Sequence, residues 1–307
     1  MIKKEGISNG VKVAIIGGGI NGLYLAWKLS GKGHDVIVFE RKKQIGDNVI
    51  CSGLFSQRIL DLIPQSQKLI QNRINYANIH FPKKTIRVDF SKPFFVIDHS
   101  ELDKLVASLA QSQGARLLLN QNTTEIPEDF DKIIGCDGAN SVIRKKLNLK
   151  NPKFRLGVLK IRRSRTSADF VDVWPCKTGF SWRIPRGSGV ELGQIADPKE
   201  IETRPGLVSK VIPQGLVVPK NNKVTLCGDA AGLTKPWSGG GVIWGLFAAN
   251  MLLEAFPDFN KYRKRTKRFF VPKIILSKIA MKLIYFFGNN TPWVLPKQAR
   301  IESDFLL

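Results

Sequence analysis

An α/β (α+β) fold is predicted: a parallel-stranded dinucleotide-binding domain, an inserted antiparallel β-sheet domain and a short C-terminal helical tail. Three observations predict it. Residues 11–41 (VKVAIIGGGINGLYLAWKLSGKGHDVIVFER) read as strand, glycine turn, helix, strand and terminal acid in direct succession. Two later apolar runs end in turns built on Asp and Gly, CDGAN at 136–140 and CGDAAG at 227–232. Around them, residues 74–97 and 151–219 alternate apolar and polar side chains, the pattern of a sheet with one covered face.

The elements follow in order. The apolar run 11–16 reads as a buried parallel strand, and Gly17, Gly19 and Gly22 complete a G-x-G-x-x-G turn in which backbone can approach a pyrophosphate. A helix over 21–30 then aims its first N–H groups at the phosphates. The strand over 35–39 closes on Glu40, placed to accept hydrogen bonds from an adenosine ribose, which makes the unit Rossmann-like. An acid there argues against a 2′-phosphate and leaves FAD or NAD, although Arg41 directly after it weakens that inference.

Residues 101–113 carry helical apolar spacing at Leu102, Leu105, Val106 and Leu109, and Gly114 stands where the helix would stop. Strands are expected over 115–119, 132–136 and 223–227, and a helix from about 241 to 254. The domains are therefore read as 1–73, 98–150 and 220–255 for the nucleotide, 74–97 and 151–219 for the sheet over it, and 256–307 for the tail.

The tail opens with Lys261, Arg263, Lys264, Arg265, Lys267 and Arg268, then turns apolar but for Lys273, Lys278 and Lys282. Its apolar runs fall short of the ~20 residues a spanning helix needs. Lys278 and Lys282 share one helical face while Ile275, Ile279, Leu283, Ile284, Phe286 and Phe287 occupy the rest. That suits either a helix lying in an anionic membrane surface or one packed on the body.

Composition narrows the partners. With 43% hydrophobic residues the chain can bury a large core, and 48 Lys and Arg against 25 Asp and Glu give a formal charge of +23. An anionic membrane, an acidic carrier protein or nucleic acid would suit this charge, as would a generally basic surface. Nucleic acid is the weakest of these, because no helix-turn-helix, zinc or aromatic RNA-binding motif is present. Cys51, Cys136, Cys176 and Cys227 are scattered with no C-x-x-C pair, so no metal site and no disulfide framework are expected. A reducing cytoplasmic location without a signal peptide is the plain expectation.

The glycine fingerprint, the segment CDGANSVIR and the segment CGDAAG together resemble the FAD-dependent oxidoreductases of the aromatic hydroxylase superfamily. Residues 179–185 (GFSWRIP) are similar to the Y-x-W-x-F-P motif of geranylgeranyl reductases, with Phe180 for Tyr and Ile184 for Phe. Residues 236–242 (PWSGGGV) and 49–54 (VICSGL) resemble two further segments of that family, archaeal members included. The resemblance runs over about residues 11–255.

It implies FAD as cofactor, held by Gly17, Gly19, Gly22, Glu40, Arg41, Asp137, Asp229, Gly239, Gly240 and Gly241. For Asp137, and for Arg144 after it, a structural turn role competes. The implied reaction is hydride transfer from reduced FAD to C=C bonds of an isoprenoid lipid, with Cys51, Trp182 and Phe180 near the reacting atoms and no metal. Trp174, Trp237 and Trp244 are further aromatics that could line a lipid channel or simply belong to the core. Since there is a single glycine fingerprint, the electron donor would be external: a ferredoxin, a flavodoxin or NAD(P)H. Arg155, Lys160, Arg162, Arg163 and Arg165 would steer an acidic carrier. A lipid substrate would place the protein peripherally at the inner face of the cell membrane.

Two departures stand out. The family's D-R pair is Asp98-His99 here, so His99 cannot supply a permanent charge, and the stretch after residue 255 is short. They keep open a flavin- or membrane-binding protein without catalysis, while the fingerprint and both Asp-Gly turns, shared across the superfamily, leave an FAD-dependent monooxygenase of a hydrophobic substrate as the alternative enzyme.

Overall fold

The computed structural model describes residues 10–164, 168–202, 205–301 and 304. The first half of the chain forms β1 (Lys12–Ile16), α1 (Ile20–Ser30), β2 (Asp35–Phe39), β3 (Leu54–Ser56), α2 (Arg58–Leu62), β4 (Ile70–Phe81), β5 (Lys84–Ile97), α3 (His99–Ser112), β6 (Arg116–Leu118), β7 (Lys132–Gly135) and α4 (Val142–Lys146). The second half forms β8 (Lys153–Arg163), β9 (Phe170–Pro175), β10 (Phe180–Pro185), β11 (Gly189–Ala196), β12 (Val208–Gln214), β13 (Val224–Leu226), α5 (Val242–Ala255), α6 (Phe259–Asn290) and β14 (Gln298–Ile301).

Two sheets organise these elements. The first is parallel throughout, in the order β13-β7-β1-β2-β6. Its central strand is apolar on both faces, as a parallel strand covered on both sides must be: Val13, Ala14 and Ile15 are fully buried. Helices α1, α3 and α5 pack together on one side through Leu23, Leu102, Val106, Trp244 and Leu252. Helix α5 is apolar almost all round and correspondingly buried. Asp98 caps α3 by accepting from the backbone N–H groups of Ser100 and Glu101.

The second sheet runs β12-β8-β11-β10-β9-β4-β5-β14, with β3 on β5. It is antiparallel as expected at most of its pairings, but β4·β9 and β5·β14 are parallel. The tail is thus no mere appendage. Helix α6 buries Phe259, Tyr262, Phe270 and Ile274 against the body, and β14 then extends the sheet beside β5.

Beyond β14, Asp304 returns to the core. Its buried carboxylate accepts from Ser56 Oγ and pairs with Lys235 Nζ at 2.5 Å, and its carbonyl accepts from Trp244 Nε1 at 3.0 Å. Removing one partner of a buried pair strands the other. Asp304→Ala is therefore expected to cost about 3 kcal/mol in urea unfolding; an unchanged midpoint would show that the C-terminal plug is dispensable.

Candidate cofactor and active site

A cleft of about 800 Å³ opens between the carboxyl ends of the parallel sheet and the inner face of the second sheet. Open α/β sheets bind ligands at that edge. The size lies within the range of ligand pockets.

The floor is the glycine turn. Gly17 has φ +110 and passes so close to β7 that a Cβ would meet the Cys136 carbonyl oxygen at 2.3 Å. A Cβ on Gly22 would meet the Gly17 carbonyl oxygen at 2.0 Å, so Gly22 serves helix–strand packing and does not line the cleft. Gly19 differs from both: a Cβ there would meet no protein atom within 4 Å. The space over Gly19 is therefore open cleft, beside the N-terminus of α1, as a bound pyrophosphate needs.

Glu40 lines the cleft and holds this turn. Its carboxylate accepts from Gly18 N at 2.6 Å and from Lys42 N at 2.9 Å. Lone pairs remain for ribose hydroxyls. Arg41 lines the same end.

Asp137 and Asp229 line the cleft just beyond the ends of the adjacent strands β7 and β13. Asp137 Oδ2 caps α4 by accepting from Val142 N at 2.6 Å, while Oδ1 is buried without a hydrogen-bond partner. Arg144 bonds the Ala230 and Ala139 carbonyls and Asn151, tying the two strand-end turns together, and so its place is structural. Asp229 pairs with Lys210 of β12 at 3.2 Å, and that carboxylate raises the Lys210 pKa. Gly239, Gly240 and Gly241 line the wall at the N-terminus of α5. A Cβ on Gly241 would meet Asp229 Oδ1 at 2.7 Å.

The far wall holds Cys51 and Trp182. Trp182 projects from β10, where its Nε1 donates to Glu191 at 2.8 Å and its ring lies over Gly193. Glu191 is fully buried; burial raises its pKa, opposed by Arg186 and by the Trp182 hydrogen bond. Arg186 binds it at 2.5 Å and also donates to the Ser52 carbonyl at 2.7 Å, linking the β10–β11 hairpin to the Cys51 loop. Cys51 Sγ accepts from Gly53 N at 3.4 Å and lies beside His99.

Several expectations are corrected here. Phe180 stands at the start of β10 and does not line the cleft; its ring packs 5.7 Å from Trp182. For the tryptophans left open between channel and core, Trp244 is fully buried core with Trp237 packed against it, and Trp174 stacks on His80 and does not line the cleft. Arg155 is only 7% exposed, so it does not belong to a docking surface, and Arg165 lies outside the described residues. His99 is not the weakly charged substitute its type suggests: burial lowers its pKa, but Asp103 and Cys51 raise it further, to about 10.

Asn21, Asp103 and Lys210 line the cleft beside His99 and were not singled out from sequence. Only Lys210 leaves a local trace, a cation on an otherwise apolar alternation at 208–212. Among the described residues no group of His, Cys, Asp and Glu could hold a metal.

A nucleotide floor, an open space over Gly19, unpaired polar atoms at Asn21 Oδ1 and Asp137 Oδ1, and a glycine-lined helix N-terminus fit a flavin dinucleotide. Comparison with known proteins agrees. Residues 12–71 match the FAD dependent oxidoreductase family. The chain is similar to a digeranylgeranylglycerophospholipid reductase of Thermoplasma acidophilum, 24% identical with 96% of this chain and 92% of that protein covered. A geranylgeranyl bacteriochlorophyll reductase-like protein from Thermoplasma acidophilum shares the fold, with a TM-score of 0.77, 19% identity, and coverage of 89% and 87%. So does the flavin-dependent halogenase CmlS, at a TM-score of 0.68 and 17% identity, over 92% of this chain and 64% of that one. The fold is that of an FAD-dependent oxidoreductase, and the cofactor is FAD.

Proposed function

We propose that the protein is a reductase that saturates C=C bonds of a geranylgeranyl or related isoprenoid chain. The observation that carries this reading is the placement of Trp182 and Cys51 on the wall facing the flavin cradle, with Trp182 held flat over Gly193. The lipid reductases among its relatives, at 24% and 25% identity, support the substrate class. Bound FAD, when reduced, supplies a hydride. The chain's own part is to hold an apolar chain in the cleft, keep water out and place a proton donor beside the alkene. Ile195, Val158 and Leu159 give the wall its apolar character. Gly17, Gly19, Glu40, Arg41, Asp137, Asp229 and residues 239–241 are proposed to hold the cofactor, with Gly22 supporting the turn from below.

The reading is tested by incubating the purified holoprotein with geranylgeranylated glycerophospholipid and dithionite without oxygen. A mass gain of two hydrogens per double bond supports it. An unaltered lipid, together with oxygen uptake driven by NADPH, would favour a monooxygenase.

The electron donor on this reading is external, a ferredoxin, flavodoxin or NAD(P)H, reached through exposed cations such as Arg162 and Arg163. The lipid is reached through α6. Its inner face is buried, while Ile275, Ile279, Leu283 and Phe286 are at least half exposed along one stripe. Trp293 follows at 73% exposure. Lys278 and Lys282 are exposed beside the stripe, and the chain is strongly basic, so an anionic bilayer is the complementary surface. Among the described residues no helix is long and apolar enough to cross a membrane. The protein is expected to sediment with phosphatidylglycerol vesicles. Ile279→Asp with Leu283→Asp is expected to weaken that at least about tenfold, and equal sedimentation of both proteins would refute a membrane role for α6.

A further inference from the structure

The wall beside Trp182 contains a set of ionisable groups that FAD binding does not explain. His99 occupies the first position of α3, and Asp103 stands one turn later on the same face, so the two side chains meet. Their side chains are 9% and 5% exposed, with Nε2 of His99 3.4 Å from Oδ1 of Asp103. Phe55 packs edge-on against the imidazole, its ring centre 5.8 Å away, and fixes its plane. Nδ1 of His99 and Oδ1 of Asp103 are both buried and close no hydrogen bond, so the His99–Asp103 contact is one of charge. Cys51 lines the same cleft wall as His99.

We propose that His99, oriented by Asp103, forms an ion pair with Cys51 in which the thiol is ionised and the shared proton resides on the imidazole. The arrangement has the order of a nucleophile, a base and an orienting carboxylate, with His99 at ion-pair distance from Asp103 and Cys51 lining the same stretch of cleft. An arginine would supply charge alone, whereas a histidinium supplies charge and a removable proton.

The surrounding charges are consistent with the pair. Lys210 of β12 lines the same cleft as Cys51 and is itself paired with Asp229. Arg186 reaches the loop from the β10–β11 hairpin but is neutralised by Glu191. The Gly53 amide donates to the sulfur. Burial on its own would raise the Cys51 thiol, but His99, Lys210 and that amide together hold it below the usual thiol range. For catalysis the inference rests on the proposed reductase activity. Saturating a C=C bond takes one hydride and one proton, and the reduced flavin that gives the hydride is oxidised. The Cys51–His99 pair then gives the proton to the neighbouring carbon and regains one from solvent. In this scheme the proton held on His99 returns to the Cys51 sulfur as it is passed on, and Asp103 is a positioning residue.

The test reads Cys51 without reference to turnover. Iodoacetamide labelling of the full-length protein, with and without FAD, is followed by mass spectrometry at Cys51 as a function of pH. In the native protein the labelling midpoint is expected below that of an ordinary thiol, about 8.5. His99→Gln should move it up to or above that value, Asp103→Asn should move it part of the way, and His99→Arg should restore a low midpoint. The ultraviolet absorbance of the thiolate should follow the same order. Unchanged midpoints in both His99→Gln and Asp103→Asn would overturn the proposal. Because Asp103→Asn is nearly isosteric, it answers the question even if His99→Gln does not fold. Failure of lipid reduction with the midpoints shifted as described would count against the reductase reading and leave the ion pair standing.

Discussion

Gly19→Val is expected to leave the protein folded and to empty its flavin site. A side chain at Gly19 meets no protein atom within 4 Å, and its backbone is extended, with φ −85 and ψ 176, a conformation valine adopts readily. Nothing in the protein therefore resists the substitution. What the added methyls would fill is the space at the start of α1 that a pyrophosphate needs. FAD affinity should fall at least about a hundredfold, equivalent to about 2.7 kcal/mol, while the unfolding midpoint of the FAD-free protein stays where it was. Gly22→Val provides the contrast, because its Cβ would sit 2.0 Å from the Gly17 carbonyl oxygen. Backbone cannot yield as a flexible side chain does, so α1 must lift from β1 at a cost of about 3 kcal/mol. Flavin fluorescence titration and urea unfolding together separate the two cases. If Gly19→Val retained full flavin affinity, the cofactor would have to lie elsewhere.

Gly193→Val should have the opposite signature, with flavin retained and turnover lost. Trp182 and Gly193 are directly paired across β10 and β11. The indole covers the glycine so closely that a Cβ would meet its Cζ2 at 2.2 Å. The ring would have to swing away, breaking the Nε1 hydrogen bond to Glu191 and leaving that buried carboxylate with Arg186 alone. Since Trp182 lines the cleft, the displaced ring disturbs the substrate wall and leaves the nucleotide floor untouched. Turnover on the lipid should drop at least about tenfold, which corresponds to about 1.4 kcal/mol of barrier. Unchanged turnover would remove Trp182 from the substrate wall.

Much of the nucleotide half was legible in the sequence because its chemistry is local. Gly17, Gly19, Gly22 and Glu40 lie within one strand–helix–strand unit, and the strand-end turns at Asp137 and Asp229 announce themselves by composition. Residue type alone did not reveal how each is used. Glu40 spends a hydrogen bond on each of the Gly18 and Lys42 amides, and Asp137 caps a helix while leaving one oxygen bare.

The opposite wall was harder to read because it is assembled from distant segments. Cys51, His99 and Lys210 come together only once α3 packs under the Cys51 loop and β12 joins β8. Aromatic residues were ambiguous for a related reason: Trp182 and Trp244 are the same residue type, yet one lines the cleft and the other fills the core, a difference set by tertiary packing. The parallel addition of β14 to β5 and the burial of Asp304 pair residues far apart in the chain, with no local pattern to announce them.

The most direct test of the central proposal is an anaerobic single turnover, in which flavin reduced with dithionite is mixed with geranylgeranylated glycerophospholipid in mixed vesicles. Reoxidation of the flavin in step with loss of lipid double bonds, one bond per flavin, is the predicted result. Flavin that stays reduced until air is admitted, with the lipid unchanged, would contradict it.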